Sequence, residues 1–157
     1  MKRAFILFLL AIGLGLYMEA ETIFVSVLEK TPDAALYNFE SSSAWESGVL
    51  DALFDMGAIV SNTPIQNASS FELQKTLQKA QEGGASSILV VELVYFALPN
   101  TQKKERAAPA AAKFYRYSVV SGKLLKQIEY NLPSLSKNLE EDMQQAKEQT
   151  RRLFAKQ

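Results

Sequence analysis

The chain has 157 residues, of which 48% are apolar, and its 17 basic and 17 acidic side chains cancel to a formal net charge of zero. It contains neither histidine nor cysteine. These absences exclude Ser-His-Asp triads, His-ligated metals, thiolate nucleophiles, disulfides and a lipid anchor on cysteine. The length fits one domain with a hydrophobic core, and the charge balance argues against a nucleic-acid binder.

Residues 1–20 have the pattern of a secretory signal peptide, because a basic dipeptide precedes an apolar run over 4–18. A helix of that length spans roughly 22 Å, less than the hydrocarbon core of about 30 Å. We expect cleavage after Ala20, with Gly15 as a second site and an uncleaved inner-membrane anchor as the alternative. The sequence predicts an exported, periplasmic chain with one domain over 21–157 and no stable membrane span after cleavage.

Strands and helices alternate in the first half of this domain. A β-branched, alternating segment predicts a strand, and a Ser-x-x-Glu capping box predicts the start of a helix. The predicted elements are a strand over 22–28, a helix capped by Ser43 and Glu46 and closed by Gly57, a strand over 58–61, and a helix from Ser69 or Ser70 to Gly83-Gly84.

The second half begins with its most apolar segment, 87–98, whose apolar residues point both ways as in a central strand. Residues 99–112 are polar, basic and then alanine-proline-rich, which predicts a flexible loop. A hairpin follows, with strands over 113–120 and 123–132. The chain ends in an amphipathic helix over 136–155.

The predicted order is therefore β-α-β-α-β-β-β-α. Helical crossovers favour parallel pairing of the early strands, whereas the hairpin adds antiparallel ones. The predicted fold class is α/β (α+β), a single mixed sheet with helices packed against it.

This pattern resembles a group of bacterial envelope proteins that includes CsgG, the penicillin-binding-protein activators of the LpoB type, and the amino-terminal domain of TolB. The resemblance lies in a helix that leads through a glycine turn into a strand (50–60), the segment 84–92, the strand pair around 120–125 and the closing helix. It implies a non-enzymatic protein that binds or assembles in the envelope.

The chain departs from that group in two respects. Many members carry a lipobox cysteine, which this chain lacks, so a lipid anchor of that kind is absent. The loop 99–112 is too polar for the inserts that build a transmembrane barrel. A periplasmic adaptor is therefore favoured over a channel.

Three acidic residues are the candidates for chemistry. Glu92 lies within the apolar strand and is interpreted either as a buried acid or as the ion-pair partner of Arg116 or Lys113. Asp51 and Asp55 lie four residues apart on one helix and resemble a cation-binding pair, although such pairs are usually the solvated side of a helix.

We expect no enzyme activity, no catalytic or metal-binding residue and no cofactor. The expected partner is another envelope protein, or a second copy of the chain. Two alternatives are a small-ligand or lipid-binding periplasmic protein and a glycan hydrolase that uses two carboxylates. Tyrosine is enriched at interfaces and the loop carries a basic cluster, so the candidate partner surface comprises Tyr115, Tyr117, Tyr130, Lys103, Lys104 and Arg106.

Overall fold

The structure, a computed structural model, describes residues 20–96, 106–132 and 136–155. They form one mixed six-stranded sheet with three helices. Within these ranges no helix is both long and apolar enough to cross a bilayer. The elements are β1 (Thr22–Lys30), α1 (Glu40–Asp55), β2 (Ile59–Asn62), β3 (Gln66–Asn67), α2 (Leu73–Glu82), β4 (Ser87–Val94), β5 (Ala111–Ser118), β6 (Leu124–Asn131) and α3 (Leu139–Phe154).

The strand order is β2-β1-β4-β5-β6, with the short β3 also pairing with β1. The pairs of β1 with β2, β3 and β4 are parallel, and the pairs β4–β5 and β5–β6 are antiparallel. The predicted fold class, element order and strand directions are therefore confirmed. The two-residue β3 was not predicted, because it is too short to show an alternating pattern.

The two faces of the sheet carry separate cores. Helices α1 and α3 cover one face, here called the two-helix face, where Trp45, Val49 and Leu153 pack on alternate residues of β1, β4 and β5. Helix α2 covers part of the other face, the one-helix face, through Leu77 and Ala80. Strand β4 is buried on both faces, as its continuous apolar sequence predicts.

The capping box predicted at Ser43 is wrong. Helix α1 begins three residues earlier, at Glu40, and its N-terminus is held from a distant strand. The buried carboxylate of Glu29, at the end of β1, accepts hydrogen bonds of 2.8–3.1 Å from the backbone N–H groups of Tyr37, Asn38 and Phe39. The contact fixes the segment that leads into α1, while the N-cap position, Phe39, makes no side-chain capping hydrogen bond.

The remaining predicted boundaries shift by a few residues. Ser69 and Ser70 lie in a 3-10 turn capped by Asn67, and α2 starts only at Leu73. Strand β4 ends at Val94, not Leu98. The first half of the predicted loop 99–112, residues 99–105, lies outside the described residues, and β5 begins at Ala111, two residues before the predicted start.

Helix α3 starts at Leu139, where the Asn138 side chain caps the Glu141 N–H at 2.8 Å. It buries Asp142 and Gln149 along with Ala146 and Leu153, which lie on the apolar face of this predicted amphipathic helix. The apolar pattern missed this polar contribution, because a buried polar side chain is identified by its partners and not by its spacing.

Helices α1 and α3 approach most closely at Gly48. A Cβ atom built on Gly48 would overlap the backbone carbonyl oxygen of Met143 and lie 2.9 Å from Ala146 Cβ. Only a residue without a side chain allows this approach, so the two-helix layer depends on this glycine.

We expect Gly48→Ala to lower the free energy of unfolding by about 2 kcal/mol, because the added methyl group must push the helices apart. In an uncrowded helix the same change is stabilising by up to about 1 kcal/mol. Urea denaturation of the variant and the wild-type chain measures the change in the free energy of unfolding. Ser43→Ala, on the exposed side of α1, is the control. An unchanged midpoint for Gly48→Ala would contradict the close helix contact.

Candidate protein-interaction surface

The β5–β6 hairpin is only partly covered on the one-helix face. Helix α2 packs towards β1 and β4, while the β6 side chains on this face, Gln127, Glu129 and Asn131, are exposed. Strand β6 is also an edge strand, whose outer N–H and C=O groups have no neighbouring strand in the sheet. The hairpin therefore offers both an open face and an open edge.

Tyr115 and Tyr117 lie side by side on this open face. Their ring centroids are 6.4 Å apart with an interplanar angle of 26°. Both rings are half-buried against the core under α2, and this burial raises the pKa of each phenol above its ordinary value. They form the border between the α2 core and the uncovered part of the sheet.

A row of charged side chains crosses the same face of the sheet, beside the tyrosine pair. Glu92, Lys113 and Glu129 are directly opposite one another on β4, β5 and β6. Lys113 Nζ is 3.3 Å from Glu129, whose carboxylate raises the pKa of the lysine. The polar row borders the tyrosine pair on the side of the sheet where β6 ends.

Glu92 is paired with Lys30 of β1 at 3.6 Å, and its side chain is 18% exposed. The sequence suggested Lys113 or Arg116 as its partner, but Lys113 bonds Glu129. Arg116 points to the two-helix face, where its guanidinium pairs with Glu21 and lies 4.4 Å from the ring centroid of Phe154. Glu92 thus has an ordinary ion-pair role on the sheet.

Tyr130 lies on the two-helix face, opposite Ala112, and is not brought together with Tyr115 and Tyr117. It lines a groove of about 380 Å³ between β6 and the end of α3, together with Lys126 and Arg152. The predicted surface is therefore divided between the two faces of the hairpin, because residues 115 and 130 differ in strand parity.

Arg106 belongs to a buried cluster around Asp142, a residue that is 0% exposed. Its guanidinium pairs with the Asp142 carboxylate and donates to the carbonyl oxygen of Ser136 at 2.7 Å. Asp142 also accepts hydrogen bonds from Ser41 Oγ at 2.7 Å and Trp45 Nε1 at 3.2 Å. Arg106 therefore anchors the chain before β5, while Lys103 and Lys104 lie outside the described residues.

Asp51 and Asp55 face cations of the protein itself. Lys147 Nζ is 2.9 Å from Asp55 and 3.9 Å from Asp51, and Arg151 is 2.7 Å from Asp55. These partners hold the pKa of Asp55 below its ordinary value. The pair links α1 to α3, and the described part of the chain contains no cluster of three or more metal-ligating side chains.

Two groups of exposed apolar side chains were not predicted from the sequence. Edge A comprises Phe54, Met56 and Ile59, at the end of α1 and the start of β2; edge B comprises Val120, Leu124 and Leu125, at the tip of the β5–β6 hairpin. Their spacing is compatible with core positions, and only the packed structure shows that they face outwards. The one available signal was Phe54, which falls outside the apolar face predicted for its helix.

The chain shares its fold with several bacterial proteins of known structure. A PelC dodecamer from Paraburkholderia phytofirmans matches at 16% identity and a TM-score of 0.58, over 87% of this chain and 89% of that one. The LpoB C-terminal domain from Salmonella enterica matches at 14% identity and 0.50, over 79% and 91%. Lipoprotein GNA1162 from Neisseria meningitidis matches at 15% identity and 0.50, over 75% and 85%.

These likenesses confirm, at the level of fold, the predicted resemblance to the LpoB type. In sequence, no protein-family model and no curated protein matches the chain. The shared property is therefore the arrangement of the sheet and helices over nearly the whole domain.

We expect Arg106→Gln to lower the free energy of unfolding by about 2–3 kcal/mol, because it leaves the Asp142 carboxylate buried without a countercharge. Lys123→Gln removes the same charge from an exposed position and should change the free energy of unfolding by less than about 0.5 kcal/mol. Thermal and urea unfolding of both variants provide the measurement. Equal stabilities would mean that Arg106 is not part of the core.

Proposed function

We propose that this chain is a non-enzymatic protein of the bacterial cell envelope that is exported through its N-terminal leader and acts by binding another envelope protein. It works as an adaptor or as a subunit of a larger complex. The proposal concerns the domain from residue 21 onwards, in which the core, the ion pairs and the hairpin all lie.

The observation that carries this proposal is the fold shared with the LpoB domain, lipoprotein GNA1162 and the PelC dodecamer over most of each chain. The dodecamer supports the view that this fold can form a repeated assembly. A common fold does not transfer a function by itself, so the surface chemistry must supply the second line of support.

The open face of the hairpin supplies it. Tyr115 and Tyr117 present rigid rings whose apolar bodies are partly desolvated already and whose hydroxyls can bond a partner. The Lys113–Glu129 pair beside them is suited to the polar rim that surrounds a buried interface centre. A partner that covers this face buries two aromatic side chains at a small further entropic cost.

The two alternative functions have weaker support. The acidic candidates for hydrolysis are each engaged by a cation, Glu92 by Lys30 and Asp55 by Lys147 and Arg151. For a small ligand, the groove beside Tyr130 combines Ile128 and Ala155 with the cations Lys126 and Arg152, and these two charges are poorly suited to a lipid tail. Protein binding therefore remains the proposal.

We expect p-benzoylphenylalanine incorporated in place of Tyr117 to crosslink to a distinct envelope protein in intact cells. The same amino acid in place of Tyr130, on the other face of the hairpin, is the matched control and should not form that product. Mass spectrometry of the purified adduct identifies the partner. Identical crosslinks from both positions, or none from position 117, would contradict binding through the open face.

Alanine variants separate binding from stability. Tyr117→Ala and Tyr130→Ala each remove a half-buried ring, so each should cost about 1–2 kcal/mol in unfolding free energy. Only Tyr117→Ala should abolish co-purification with the crosslinked partner. If Tyr130→Ala abolishes it equally, the loss reflects weakened folding and the open face is not the binding site.

We expect the chain purified from the envelope to begin at Glu21. Ala20 is exposed and lies two residues before β1, so a peptidase can reach this bond without opening the fold. Intact mass measurement tests this, and a mass equal to the full translation would instead support the uncleaved anchor.

A further inference from the structure

Edges A and B are the two exposed apolar groups at opposite sides of the sheet. Ile59 of edge A is 59% exposed and Leu125 of edge B is 54% exposed. Strands β2 and β6 are the outermost strands of the five-strand path, about 19 Å apart at the usual interstrand spacing. Each edge thus carries an apolar group that the fold of a single chain leaves in solvent.

The two edges are at the same height along the strands. The strand register places Ser61, Phe24, Ile88, Tyr117 and Leu124 in one continuous row across the sheet. Ile59 precedes Ser61 by two residues, and Val120 follows Tyr117 by three. Both apolar groups therefore lie near the same end of the sheet, the end at which β1 and β4 begin.

Two opposite charges also lie at matching rows of the sheet, one near each edge. The next row of the sheet runs from Asn62 to Lys126. The Asn62 side chain donates to Glu46 at 3.0 Å, and Lys126 donates to the carbonyl oxygens at the end of α3, so Glu46 and Lys126 both lie on the two-helix face. Side by side, one copy's acid meets the next copy's base.

The segments of sequence that carry the two edges also differ in the sign of their charged residues. Residues 31–74, which include α1 and β2, contain six acidic side chains and no basic one. Residues 106–128, which include β5 and most of β6, contain five basic side chains and no acidic one. Most of these charges are already paired within one chain, as Asp55 is with Lys147 and Lys113 with Glu129, so the approach of Glu46 to Lys126 is the contact that favours A against B over a contact of like edges.

We propose that copies of this chain associate head to tail, with edge A of one copy against edge B of the next. This inference rests on the proposed function, because it names the partner for the assembly role. An interface between two different patches can repeat from copy to copy, as a closed ring where the rotation per copy closes and as a filament where it does not. Leu124 of edge B lies opposite Tyr117 on the open face, so the part of that face around Tyr115 and the Lys113–Glu129 pair is left for a second protein.

Two double variants test the arrangement with little effect on folding, since all four residues are exposed. Phe54→Gln with Ile59→Gln removes edge A, and Leu124→Gln with Leu125→Gln removes edge B. Each should weaken self-association by about a hundredfold or more, through lost apolar burial. The matched control is Leu36→Gln with Phe96→Gln, exposed apolar residues outside both edges, which should assemble like the wild-type chain.

Mixing the two variants gives the decisive result. Each alone should be monomeric by native mass spectrometry and light scattering. Together they should form a one-to-one heterodimer and nothing larger, because one intact edge A meets one intact edge B. An interface of identical edges predicts no heterodimer and would overturn the proposal.

A monomeric wild-type chain at all concentrations would also overturn it, and so would an assembly unaffected by either variant. Binding of the monomer to phosphatidylglycerol vesicles that both variants abolish would assign these edges to a lipid surface and refute self-association. In each case the crosslinks from position 117 still decide the proposed function separately.

Discussion

The carboxylate of Asp142 joins three segments of the chain at one buried point. Ser41 and Trp45 bring α1 to it, Arg106 brings the chain that enters β5, and Ser136 brings the approach to α3. A buried charge is tolerated only when it is paired and hydrogen-bonded, so these groups must assemble together. This site and the Gly48 contact fix α1 and α3 as one layer on the two-helix face.

That layer determines what the rest of the surface can do. With two helices on one face and only α2 on the other, the β5–β6 hairpin is covered on the first side and open on the second. Edge strands and apolar tips remain at both sides of the sheet, where closed folds usually place charge or a covering element. The uneven coverage thus separates a face for one partner from edges suited to another.

The candidate site was predicted in part. The alternating pattern correctly placed Tyr115 and Tyr117 on one side of β5. It could not place Tyr130, because which face of β6 meets Tyr117 depends on hairpin register, and that register is shifted between Arg116 and Tyr117. Arg106 was grouped with the loop lysines by charge, yet a carboxylate thirty-six positions later in the sequence draws it into the interior. Long-range pairing of this kind leaves no local pattern.

Sequence alone determined the element order, the parallel and antiparallel strand pairs and the central position of β4, because these follow from periodicity, glycine turns and connection length. It also excluded the catalytic, metal-binding and disulfide chemistry that requires histidine or cysteine. Only the tertiary structure decided how the segment before α1 is held, which charges are buried and which apolar residues face solvent. Those outcomes depend on contacts that leave no periodic pattern: Glu29 accepts from the Phe39 N–H ten residues later, and the exposure of Ile59 and Leu125 follows from where the sheet ends.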